Sequence, residues 1–150
     1  MMIIDSQVHA YEANTPKRRW HSVPNWPPHV TGDEMVAAMD RVGVDGAIFI
    51  SAFSLYQYDA SYAVEVQRKH PGRFAIIKPV NAADPAVGEV IAEWKKQPGA
   101  VAVRIMMTRE AGLRPDDPGL DRIVSDGRHA ACARSTGNQK FGRIGSRKPM

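Results

Sequence analysis

The sequence predicts an α/β fold in which four short apolar strands alternate with amphipathic helices, a (βα)4 arrangement around a parallel sheet. Three observations carry this. Apolar runs of strand length recur four times; apolar stripes at helical spacing follow each of them; and helix-start signals stand where the stripes begin.

The first strand is expected over residues 2 to 9, in MIIDSQVH, with Met2 to Asp5 as its buried part. Residues two apart on a strand point to one face, so Gln7 and His9 are expected as neighbours. They would sit at the strand's carboxyl end, where parallel α/β folds place ligands and catalysis. Their bland role would be as satisfied polar groups where the strand leaves the core. KRRWHSVPNWPPHV then reads as an irregular loop carrying Trp20, Trp26 and several prolines.

A helix starts after Thr31, which with Glu34 forms a capping box. Met35, Val36, Met39 and Val42 make its buried stripe, and Gly43 is placed to end it. DGAIFISA supplies a second strand, over 46 to 52, short and apolar enough to be covered on both faces. Asp59 to His70 reads as a helix with Tyr62, Ala63, Val66 and His70 on one side, closed by PGR.

FAIIKPV is the third strand, over 74 to 80. Asp84 and Pro85 are expected as N-cap and first residue of a helix whose stripe is Val87, Val90, Ile91 and Trp94, ending by Pro98 and Gly99. AVAVRIMM is the fourth strand, over 100 to 107. Asp117 and Pro118 then open a fourth helix, with Leu120, Ile123 and Val124 facing inward.

From Ser125 the periodicity stops, with Phe141 and Ile144 the large apolar residues before Met150. Six basic residues stand there against one acid, Asp126, so the chain's net charge of +4 belongs to this segment. The division expected is 1–124 as the folded unit and 125–150 as a disordered basic tail. The abrupt change resembles a reading-frame change or an early-ending gene model. A basic arm is the rival reading, but one aromatic and little clustering argue against nucleic-acid recognition.

Composition is ordinary for one globular domain, 43% hydrophobic and 24% charged. Cys132 is the single cysteine and no signal-peptide pattern opens the chain, so a reducing, cytoplasmic compartment is expected. No apolar run approaches the roughly 20 residues of a membrane helix. No Gly-rich phosphate loop and no CxxC is present. A complete (β/α)8 barrel takes about 250 residues, so this length holds about half of one; an open doubly wound sheet is the alternative. In a half-barrel the first and fourth strands are open edges, and self-association through them is expected.

The residues in order, IIDSQVHAYE, the Trp- and Pro-rich loop, GVDGAIFISA, HPGRFAIIKPVN and GAVAVRIMM, resemble the amidohydrolase-related family of TIM-barrel metal-dependent hydrolases, which includes lactonases and some decarboxylases. The likeness runs from about Met1 to Val124 and implies the amino-terminal half of a TIM barrel. It also implies a His-x-His pair of metal ligands on the first strand, further histidines on later strands, and an Asp on the last strand that handles the proton of the attacking water. Here the pattern is Gln7-Val8-His9. His9 carries over as a candidate metal ligand and catalytic residue, and Gln7 as a catalytic candidate able to ligate only weakly through its amide oxygen. A divalent metal such as zinc is implied for a full-length parent, with none expected on this chain alone.

Arg104 is a charge in an otherwise apolar strand and could hold a substrate carboxylate bidentately, or pair with a neighbouring acid. Ser51 ends the second strand and could line the mouth, without the G-x-S-x-G elbow of a nucleophile. Lys78, His21 and His29 are weaker candidates. The expected function is hydrolysis of an amide or lactone bond in a small cyclic or carboxylated molecule, with this chain an inactive fragment. The alternative is a noncatalytic α/β remnant with an anion-binding tail.

Overall fold

The computed structural model describes residues 1–22, 24–107 and 113–135, the last nine of these as backbone only. The elements run β1 (Ile4–Val8), α1 (Gly32–Val42), β2 (Gly46–Ile50), α2 (Phe53–Tyr56), α3 (Ser61–Lys69), β3 (Phe74–Val80), α4 (Val87–Lys95), β4 (Ala100–Ile105) and α5 (Pro118–Ser135). The four strands form one sheet in the order β1-β2-β3-β4, each neighbouring pair parallel. This is the expected α/β alternation, and it matches half of a TIM barrel.

Local signals explain most boundaries. Thr31 accepts from the Glu34 backbone while the Glu34 carboxylate takes the Thr31 N–H, so two amides left over by the first turn of α1 are satisfied. Gly43, at φ 74°, ends α1 in the left-handed region that glycine enters without steric cost. Asp117 accepts from the Gly119 N–H and starts α5 at Pro118.

Other elements differ from expectation. Asp84 does not cap α4: its carboxylate takes the Ala86 N–H in a local turn, and the helix begins at Val87. The four-residue α2 stands between the expected second strand and the helix expected from Asp59, where the sequence predicts no element, and its Leu55 and Tyr56 are buried. Helix α5 runs through Ser135, past the expected break at Ser125. The segment HAACAR has lost the apolar stripe but keeps high helix propensity, and propensity suffices to continue a helix already nucleated. The expected disorder of 136–150 lies outside the described residues.

Two apolar clusters fill the space between sheet and helices. The larger gathers Val8, Phe49, Phe74 and Ile76 from the strands under Met39, Tyr62, Ala63 and Val66 of α1 and α3. The smaller joins Val80 to Val87 and Ile91 of α4 and Ile123 of α5, with Val103 and Ile105 against it. Val42 and Val124, expected inside, are exposed: Val42 is the last residue of α1, and Val124 lies beside the buried Ile123 on the outer side of α5. Met2, Ile3 and Ile4 are exposed too, and the buried end of β1 is Val8, the reverse of the expected order. In the described sheet β1 has a neighbouring strand on one side only, so its apolar start is covered only in part, Ile4 lying against Gly46 of β2.

Candidate functional site at the carboxyl edge of the sheet

The last residue of β1 pairs with Phe49 and faces the helix layer, so His9, one residue on, turns to the opposite face. Its Nδ1 donates to the Ile50 carbonyl oxygen across 2.8 Å, since a carbonyl can only accept. With Nδ1 carrying the proton, Nε2 keeps its lone pair. Gln7 lies beside it, with its amide nitrogen 3.4 Å from that Nε2. The expected juxtaposition of Gln7 and His9 is therefore present.

A bulge in β1 contributes to this aim. Between Asp5 and Val8 the register against β2 slips by one residue, and the Asp5 carboxylate takes the Gln7 N–H at 3.0 Å. Behind His9, Ala10 and Tyr11 are buried, and Tyr11 packs edge-on to Trp20 and tilted against Trp26, which holds the long first loop against the site's flank. The same flank contains Glu12, ion-paired with Arg18 at 2.7 Å, while Arg18 lies over the Tyr62 ring.

Arg104 reaches the same face by register. It pairs with Pro79, its neighbours Val103 and Ile105 pack toward α4 and α5, and alternation turns Arg104 the other way. β1 and β4 are three strand spacings apart, roughly 14 Å between backbones. Arg104 and the Gln7–His9 pair thus bracket one side of the sheet at its carboxyl edge.

The remaining candidates are placed elsewhere. Ser51 is 1% exposed and its hydroxyl donates to the Asp59 carbonyl at 2.7 Å, tying the end of β2 to the segment before α3. Lys78 pairs with Val103 and lines a groove between α3 and α4 on the helix face of the sheet, away from His9. His29 contacts the Glu34 carboxylate at the α1 cap, and His21 is exposed with its backbone N–H on the Leu55 carbonyl. The Ile50 carbonyl is the site component that no sequence signal marks: every residue carries one, and only strand pairing selects this one.

The donor set does not fit a cation by itself. Among the described residues no three His, Cys, Asp or Glu side chains gather. A zinc site uses at least three protein ligands, and Gln7 presents an amide N–H, a donor, toward the one imidazole lone pair.

No family model matches the chain and no curated protein matches it. Solved structures do. One is a probable 2-pyrone-4,6-dicarboxylic acid hydrolase from Acinetobacter baumannii with citric acid bound, at TM-score 0.66 and 14% identity, covering 87% of this chain and 47% of that one. Another is an apo structure of an Agrobacterium tumefaciens protein, at TM-score 0.57 and 18% identity, covering 85% of this chain and 44% of that one. The chain spans less than half the length of these structures, and the likeness is one of fold.

Proposed function

We propose that this chain forms the amino-terminal half of an amidohydrolase-type barrel hydrolase acting on a lactone or amide that bears carboxylates. The observation that supports it is the orientation of His9. An imidazole pinned through Nδ1 presents Nε2 as its acceptor; when the Gln7 amide turns from that nitrogen to donate to the carbonyl under attack, the lone pair is open to a proton from an attacking water. Arg104, on the same face, offers a two-pronged donor to a substrate carboxylate. The Acinetobacter protein is named for a lactone with two carboxylates and its structure contains a tricarboxylate, chemistry that such an arginine suits.

A divalent metal belongs to the family resemblance, but the described residues do not form a site for one, and no step is assigned to it. The residues here polarise, hold and accept one proton; turnover is assigned to a barrel-length protein, while this chain binds. Titrating it with 2-pyrone-4,6-dicarboxylate, followed by nuclear magnetic resonance, tests the reading. Saturable shifts at His9 and Gln7, with affinity at least tenfold weaker in Arg104→Ala and not recovered in Arg104→Lys, are expected. Equal affinity in Arg104→Ala would remove the carboxylate assignment.

A further inference from the structure

We propose that two copies of this chain close one eight-stranded barrel, β4 of each adding in parallel to β1 of the other around a two-fold along the barrel axis. The inference rests on the fold and not on the proposed chemistry. The outer strands of the described sheet are β1 and β4, each with one neighbour, and an open strand edge is a template for a further strand. Large exposed apolar residues gather at these edges: Met2 at 58%, Ile3 at 46% and Ile4 at 41% beside β1, and Val101 at 46% on β4. On the face turned from the helices, Ile48 and Ile77 are half-exposed and Ala102 is exposed, a sheet surface without its second layer. Val124 of α5, the helix that follows β4, is 49% exposed as well.

The registers supply the geometry. Val8, Phe49, Ile76 and Ala100 lie in one row across the four strands. A barrel of eight strands with shear 8 advances such a row by about one residue per strand. After four strands the row re-enters β1 about four residues before Val8, which sets Ala100 at the Ile3–Ile4 start of the second copy's β1. The exposed edge of β4 therefore meets the exposed start of β1, and both seams are identical, as a closed two-fold ring requires. Two chains of 150 residues also suffice for a barrel of about 250. The closed mouth would carry two Gln7–His9 pairs and two Arg104.

Sedimentation velocity on the full 150-residue chain, across micromolar concentrations, is expected to show a species of twice the 16.5 kDa chain mass. A monomer throughout, or an open ladder of larger species, would overturn the proposal. Val101→Glu and Ile4→Lys should each give monomers with unchanged circular dichroism, because both residues are exposed and both seams are damaged. Mixed in equal amounts they should dimerise, since one seam then pairs opposite charges and the other is unaltered; a mixture that stays monomeric rules out the β4-to-β1 seam. A disulfide trap reads the same contact independently of those variants. With Cys132→Ser, Ile3→Cys and Ala100→Cys lie on opposite edges of one chain, roughly 14 Å apart by strand spacing and out of disulfide reach. Oxidation should give a covalent pair of chains, and a single-chain band alone would count against closure.

Discussion

His9 is oriented by Ile50, the last residue of the neighbouring strand, through a 2.8 Å hydrogen bond from Nδ1 to a backbone carbonyl. The bond links two chain positions 41 residues apart and selects the tautomer that leaves Nε2 unprotonated. A backbone acceptor at the end of a buried strand cannot be removed by a side-chain change, so the orientation depends on the pairing of β1 with β2.

In a catalytically competent, barrel-length form, His9→Ala should lower kcat/KM by about a hundredfold or more, the scale for losing a general acid or base. Steady-state kinetics on a carboxylated lactone measure it. An unaffected rate would move the reacting groups to another strand.

Alkaline titration should weaken the fold through Tyr56. Burial pushes its hydroxyl up to about 12. A tyrosine in the unfolded chain ionises near 10, so the unfolded state gives up its proton first as pH rises. The stabilisation is fully present below about pH 10 and is lost as pH climbs toward 12. Denaturant midpoints should fall over that interval in the wild type and fall less in Tyr56→Phe.

Thr31→Ala should cost about 1 kcal/mol, the usual loss on removing a side-chain N-cap. The change also disturbs Glu34, whose carboxyl is held below its ordinary range first by the Thr31 backbone N–H and then by His29 and the Thr31 hydroxyl. A folded-state value below the unfolded one gives stability that is present above the unfolded pKa and lost as pH falls through the folded one. Wild type should therefore lose stability more steeply on acidification than Glu34→Gln, each measured relative to its own neutral-pH stability, because the variant has no carboxyl to titrate at this position.

Phe49→Ala should be the most damaging single truncation in the sheet. Phe49 is fully buried in the middle of β2, with the Tyr62 and Phe74 rings edge-on at 6.5 and 5.8 Å. Losing a buried phenyl ring and leaving its cavity costs about 3–5 kcal/mol. Urea denaturation of the two proteins gives the difference directly, and a loss under about 1 kcal/mol would mean that the site collapses around the smaller side chain.

The sequence by itself determined the alternation of strands and helices, their parallel order, the Thr31–Glu34 cap, the Gly43 stop and the nearness of Gln7 to His9. All of these rest on interactions within a few residues or on a periodicity read along one segment. Tertiary structure decided the rest. Strand pairing chose the Ile50 carbonyl as the partner of His9, register turned Arg104 to the His9 face and Lys78 to the helix face, and packing used the Ser51 hydroxyl to hold Asp59. The apolar start of β1 reads as core in sequence yet is exposed, because hydrophobicity states a preference for burial and only a neighbouring element can satisfy it.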